Sequence, residues 1–110
     1  MTDYILQLIQ AIRRLHGYKA TYLETVPVKE VFEGQTIWEG DVEVFEIKNP
    51  RSSAKRVYAW AHDIDNIDRA KRFVAVLELP PVIDAQTAVR TAIIQEVKDA
   101  REKAKTSRPS

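Results

Sequence analysis

The sequence predicts an α+β fold with an N-terminal helix, a curved four-stranded antiparallel meander sheet and a C-terminal helix. Apolar residues recur at helical spacing in residues 4–16 and 85–100, and at every second position in the segments between them. The connections between those segments are short, which favours antiparallel pairing of strands that are neighbours in the sequence. A chain of 110 residues has the length of one domain, so we predict one unit at 1–105 and a flexible tail at 106–110.

The first predicted helix covers residues 4–16. Thr2 or Asp3 is placed to cap the free amides at its start, and Gly17 can adopt the left-handed conformation that ends a helix. The apolar residues that form its buried stripe are Ile5, Leu8, Ile9, Ile12 and Leu15.

Two predicted strands, 21–32 and 36–48, form the first hairpin around the short turn that contains Gly34. Pro27 lacks an amide proton, so the first strand is expected at a sheet edge or bulged near its middle. Along the second strand the apolar residues move from even to odd positions, and Gly40 marks the bulge that we expect to cause this change.

The third and fourth strands are predicted at 55–62 and 71–79, after a turn at 49–53. Val57, Ala59 and Ala61 place small side chains on one face of the third strand, and we expect both helices to pack there. The fourth strand has apolar side chains on both faces. Asp84 is placed to cap the final helix, whose apolar stripe begins at residue 85.

If both helices share one face, the opposite face exposes aromatic and aliphatic side chains. Exposed apolar patches of this kind mark interfaces, and two-fold dimers are the commonest soluble oligomers. The sequence therefore predicts a non-enzymatic interaction module that forms a homodimer through this face; any other protein partner is unknown. An alternative is that one helix packs on each face and fills an ordinary core. The predicted binding residues are Trp38, Tyr58, Trp60, Val74 and Val76.

A second functional hypothesis is binding of single-stranded nucleic acid, with bases stacking on exposed aromatic rings beside basic residues. The net charge of +1 gives little general attraction to phosphate. The basic starts of the third and fourth strands also fall at opposite ends of an antiparallel pair. The residues of this alternative are Arg51, Lys55, Arg56, Tyr58, Trp60, Lys71 and Arg72.

Catalytic and metal-binding patterns are weak in this sequence, so we predict no catalytic residue, no metal and no cofactor. His62 and Asp63 are adjacent, and neighbouring strand residues point to opposite faces. Residues 63–68 resemble the start of a calcium loop but lack its glycine and its final glutamate. Asp41 and Glu43 share a face and could act as acid and base, although alternating acids usually face water. A small-ligand domain or an enzyme with a helix–sheet pocket remains an alternative.

The composition predicts a cytoplasmic protein without a membrane segment. The chain has no cysteine, which excludes thiol catalysis and disulfide bonds. No apolar run reaches the roughly 18 residues of a membrane span. Met1-Thr2-Asp3 places no basic region before an apolar one, so we expect no secretory leader.

Overall fold

The computed structural model describes residues 2–48, 53–63 and 71–106, which form an α+β fold. Four strands make one open antiparallel sheet in the order β1-β2-β3-β4. A helix precedes the sheet and another follows it, which confirms the predicted fold class. The elements are α1 (Asp3–His16), β1 (Ala20–Phe32), β2 (Gln35–Ile47), β3 (Arg56–Asp63), β4 (Lys71–Leu77) and α2 (Ala85–Thr106).

Local sequence signals define the ends of the helices. Thr2 Oγ1 accepts a hydrogen bond of 3.3 Å from the Ile5 amide at the start of α1. Gly17 ends this helix in the left-handed region with a φ of 79°. At the start of α2, the Asp84 carboxylate accepts from the Thr87 amide at 2.9 Å, and this bond lowers the pKa of Asp84. The three predicted caps are confirmed.

The β1–β2 hairpin closes through a two-residue turn whose residues, Glu33 and Gly34, both have positive φ. Its ladder skips Leu23 on β1 and Ile37 on β2, while Gly40 lies within continuous pairing. The predicted bulge at Gly40 is therefore wrong. The glycine has a different role: a Cβ at this position would lie 3.2 Å from the Trp38 ring.

One helix packs on each face of the sheet, so the prediction that both helices share one face is wrong and the alternative is correct. Helix α1 packs on the face that carries Val57 and Ala59, whereas α2 packs on the face that carries Tyr58 and Trp60. The α1-side core consists of Ile5, Leu8, Ile12, Tyr18, Phe45, Ile47, Ala54, Val57 and Ala59. The α2-side core consists of Val28, Val42, Val44, Tyr58, Trp60, Val82, Ala85, Ala88 and Val89.

The two-sided core explains the apolar pattern of β2. Val42 and Val44 point to the α2 side, while Phe45 and Ile47 point to the α1 side. This is the ordinary alternation of a strand that is buried on both faces. The change from even to odd positions therefore needs no bulge.

Strands β2 and β3 pair only over a short stretch and then separate. Their pairing runs from Glu46 opposite Arg56 to Glu43 opposite Ala59. Beyond that point, the amide of Ala61 donates to Tyr4 Oη at 3.1 Å instead of to a strand carbonyl. On the other face, the rings of Trp38 and Trp60 meet edge to face with centroids 5.7 Å apart. The two hairpins thus form a fork in the sheet, which helix α1 and this ring pair hold together.

A buried carboxylate joins α2 to β1. Glu30 is only 7% exposed, and it accepts hydrogen bonds from Arg90 Nε at 2.9 Å and from Gln86. The Arg90 hydrogen bond lowers the pKa of Glu30 below its ordinary value. A carboxyl whose pKa is lowered in the folded state stabilises the fold above its unfolded pKa, and this contribution disappears as the pH falls through the folded pKa.

We therefore expect Arg90→Ala to lower the free energy of unfolding by about 1 kcal/mol at pH 7, because the Glu30 carboxylate loses a charged donor. The difference from the unsubstituted protein should begin to shrink below about pH 4.3, the ordinary pKa of glutamate, and should shrink further as the pH falls through the lower pKa of Glu30 in the fold. Urea unfolding at pH 7 and pH 3 measures both values. Lys55→Ala, an exposed change away from α2, is the control. Equal losses at both pH values would contradict the role of Glu30 ionisation.

Candidate functional site

The predicted aromatic face lies beneath α2 and is not exposed in the described chain. Tyr58 and Trp60 are each 3% exposed, and Trp38 packs against Trp60. The expectation that these rings form an open docking surface is therefore wrong, because α2 covers the face that we expected to be bare. Val74 and Val76 lie on the same face but on the last strand of the sheet, and both are half-buried.

Tyr58 is committed to an internal contact. Its hydroxyl donates to Glu78 Oε2 at 2.6 Å. Burial raises the pKa of the Tyr58 hydroxyl far above its ordinary value, and the hydrogen bond to the Glu78 carboxylate raises it further. The ring therefore remains neutral and enclosed, and it offers no stacking surface to an unpaired base without displacement of α2.

The described basic residues of the nucleic-acid alternative, Lys55, Arg56 and Arg72, do not meet in one stripe. Lys55 and Arg56 are exposed at the start of β3, whereas the register places Arg72 opposite the far end of that strand. Arg72 forms an exposed ion pair with Glu96 at 3.3 Å. Arg51 and the side chain of Lys71 lie outside the described parts of the chain.

Among the strands that the structure describes, β4 is an edge of the sheet and has one neighbour, β3. The Glu78 amide donates inward to Arg56 O, so the backbone groups of Phe73, Ala75 and Leu77 face outward by alternation. The outward carbonyl of Ala75 accepts a hydrogen bond of 2.8 Å from His16 Nε2 at the end of α1. The outward carbonyl of Leu77 likewise accepts a hydrogen bond of 2.8 Å from the Leu79 amide. This edge therefore presents strand backbone away from β3, and two of its carbonyls have partners that do not belong to a strand.

An apolar groove of about 440 Å³ follows this edge between the end of α1 and the side of α2. Its floor is the half-buried outer part of β4, including Val74, Val76 and Leu77. Its α2 wall includes Ala92 and is rimmed by polar residues further along the helix. The groove thus joins strand backbone that has no described strand partner to half-exposed apolar side chains, which is a typical arrangement at a protein interface.

The opposite edge of the sheet, β1, is protected against pairing with another strand. Pro27 lies in the middle of β1, as predicted for an edge strand, and the ladder is interrupted at Leu23. Proline and bulges are devices that prevent edge-to-edge association. The segment Lys71–Leu77 contains neither a proline nor a register shift, so β4 is the edge that remains suited to pairing.

A second concave site lies on the α1 side, beside the fork between β2 and β3. The cavity of about 380 Å³ is lined by Thr2, Tyr4, Ile5, Tyr22, Thr25, Asp41 and Glu43. It brings together Asp41 and Glu43, the two acids that the sequence places on one face. Asp41 is exposed, but Glu43 is only 5% exposed, so the expectation that these acids simply face water holds for Asp41 alone.

Hydrogen bonds order the polar side chains of this cavity. Thr25 Oγ1 donates to Glu43 Oε1, and Tyr22 Oη lies 2.5 Å from the same threonine oxygen. Burial raises the pKa of Tyr4, and the nearby charges of Glu43 and Asp41 raise it further. Sequence reasoning missed Tyr4, although its position four residues before Leu8 already placed it beside the buried stripe of α1.

The described residues show no group of three or more histidine, aspartate or glutamate side chains that could hold a metal ion. The His62 and Asp63 side chains and residues 64–68 of the calcium-like segment lie outside what the structure describes. Among the described helices, none is long and apolar enough to cross a bilayer. Comparison with protein-family models, with curated proteins and with solved structures finds no match to this chain.

Proposed function

We propose that this protein is a non-enzymatic interaction module that forms a two-fold homodimer by pairing β4 with β4 of a second copy. The observation that carries the proposal is the outer edge of β4, which has no strand partner among the described residues and lies beside a half-exposed apolar groove. This proposal moves the predicted self-association from the aromatic face to the strand edge. Val74 and Val76 retain a place in the interface, while Trp38, Tyr58 and Trp60 support it from within the core.

The segment that consists of β4 and Glu78 is self-complementary when two copies of it pair in antiparallel orientation. A two-fold axis perpendicular to the sheet places the α1 sides of the two copies on the same face of the joined sheet. Residues that oppose one another then have side chains on the same face, so a symmetric pairing is centred on one residue that lies opposite itself. Centring it on Ala75 joins backbone groups that face outward in both copies. The opposed pairs are then Arg72 with Glu78, Phe73 with Leu77, Val74 with Val76 and Ala75 with Ala75.

Charge selects this register over its neighbours. Centring the pair on Ala75 sets each Arg72 opposite Glu78 of the partner subunit, whereas centring it on Val74 or Val76 sets a charged residue opposite valine. Directly opposed unlike charges stabilise a strand pair. Pairing also requires His16 to release Ala75 O, and it requires Leu77 O, which accepts from the Leu79 amide, to turn to the second copy or to accept a second hydrogen bond. His16 therefore competes with the second copy for the edge, as side chains that cover edge strands commonly do.

The sharpest test of the edge is Ala75→Pro. The Ala75 amide faces away from β3, so proline leaves the β3–β4 ladder intact but removes an intermolecular donor from each copy. The loss of two hydrogen bonds of about 1 kcal/mol each predicts at least roughly 30-fold weaker dimerisation. Sedimentation equilibrium measures the association, and circular dichroism checks that the variant is folded. A monomeric unsubstituted protein, or an equally stable Ala75→Pro dimer, would reject the proposal.

A charge exchange tests the register independently. Arg72→Glu places like charges opposite one another in its own homodimer, and so does Glu78→Arg. Because Arg72 also pairs with Glu96 and Glu78 accepts from Tyr58 within one copy, circular dichroism first checks that both variants are folded. Mixing the two variants restores both unlike pairs, so the mixture should associate more tightly than either variant alone. Lys55→Glu, an exposed charge reversal outside β4, is the control and should leave association unchanged. Association of both single variants as strong as that of the unsubstituted protein would exclude this register.

A further inference from the structure

We propose that the cavity beside the fork binds a small organic cation that carries N–H donors, such as an ammonium or guanidinium group. This site lies on the α1 side of the sheet, and the residues that line it are distinct from those of the β4 groove. The inference does not depend on dimerisation.

The fork creates the concave surface. Because β3 no longer pairs with β2 beyond Ala59, the Ala61 amide turns to Tyr4 Oη, and the start of α1 lies over the opening. The resulting cavity of about 380 Å³ is near the lower end of the usual volume of small-molecule sites. It therefore suits a compact ligand better than a nucleotide or a folded segment.

The residues around the cavity favour a positive ligand. Two carboxylates, Asp41 and Glu43, contribute to its wall, and none of the described residues that line it is a lysine, arginine or histidine. The remaining polar groups are hydroxyls of two tyrosines and two threonines, which accept hydrogen bonds as well as donate them. An ammonium or guanidinium group supplies several donors and no acceptor, so it matches a lining that is rich in acceptors.

Glu43 is the anchor of the site because its carboxylate is both buried and held in place. The Thr25 hydroxyl donates its proton to the Glu43 carboxylate, so its oxygen accepts the hydrogen bond from the Tyr22 hydroxyl. The donors therefore run in order from Tyr22 through Thr25 to Glu43. A carboxylate that is only 5% exposed has lost most of its hydration. A bound cation offsets that loss, while exposed Asp41 provides a second, solvated contact. The Tyr4 and Tyr22 rings add aromatic surface that attracts cations.

Titration calorimetry with agmatine, which carries a guanidinium and an ammonium group, tests the proposal directly. We expect saturable binding to the full chain that weakens as salt is added. Glu43→Gln keeps the shape and an acceptor oxygen for Thr25 but removes the buried charge, so it should weaken binding at least tenfold. Asp41→Asn should weaken it about threefold to tenfold, since its carboxylate is exposed.

Matched controls separate the site from general charge attraction. Glu46→Gln makes the same change on β2 at an exposed residue outside the cavity and should bind agmatine normally. Tetramethylammonium, which has no N–H donor, should bind at least tenfold more weakly than agmatine. Equal losses in Glu43→Gln and Glu46→Gln, or no saturable agmatine binding at millimolar concentration, would overturn the proposal.

Two further measurements keep the test decisive. If Glu43→Gln fails to fold by circular dichroism, Asp41→Asn decides the outcome, because Asp41 is exposed and its substitution should leave the core intact. Ala75→Pro should bind agmatine like the unsubstituted protein, so failure of the dimer proposal and failure of the cation site are distinguishable. Preferential binding of magnesium over agmatine would contradict an organic-cation site.

Discussion

Trp60→Ala is expected to lower the free energy of unfolding by about 3–5 kcal/mol, the usual cost of removing a large aromatic side chain from a core. Trp60 is 3% exposed between β3 and α2, and its ring meets Trp38 edge to face. Both contacts end when the indole is removed, and the cavity that remains adds to the loss. Urea unfolding monitored by circular dichroism measures the change.

The matched control for this prediction is Phe32→Ala. Phe32 is 63% exposed beside the turn of the β1–β2 hairpin, so its truncation should change stability by no more than about 0.5 kcal/mol. A similarly small effect for Trp60→Ala would mean that α2 does not cover this face of the sheet. That result would return the aromatic residues to the role of an exposed docking surface.

Phe45→Ala is expected to have a comparable effect, about 3–5 kcal/mol, through the opposite face of the sheet. Phe45 is fully buried beneath α1 and meets Tyr22 edge to face with centroids 5.9 Å apart. Its position in β2, directly opposite Val57 of β3, makes it central to the α1-side core. Urea unfolding again measures the loss.

Ile37→Ala serves as the control on the same strand, because Ile37 is skipped by the ladder and is 47% exposed. Its effect should stay near 0.5 kcal/mol. Large losses for both Trp60→Ala and Phe45→Ala, with small losses for both controls, would establish a sheet that is packed on both faces. A large loss for only one of them would restrict tight helix packing to that face.

The two proposed sites both lie where regular pairing of strands stops. At β4 the sheet ends, so outward backbone groups and the valines beside them are only partly covered. At the fork, β2 and β3 separate, so Tyr4 takes over an amide that a strand would otherwise bind. Backbone polar groups that lose a strand partner need another one, and side chains, ligands or a second copy can supply it.

The sequence by itself determined the secondary structure and much of the topology, because those features depend on local chemistry. Thr2, Gly17 and Asp84 cap helices through contacts within a few residues. The Glu33–Gly34 turn joins adjacent strands, and Pro27 marks an edge. Apolar residues on both faces of β4 also showed that each side of the sheet needs a cover.

Only the tertiary structure decided which helix covers which face and what lies at the fork. An amphipathic helix fits either face of a two-sided apolar sheet, so the stripe of α2 contains no information about the side on which it packs. Convergence of Tyr4, Thr25 and Glu43 likewise depends on where pairing between β2 and β3 ends. Contacts between residues far apart in the chain set both outcomes, and local spacing does not encode them.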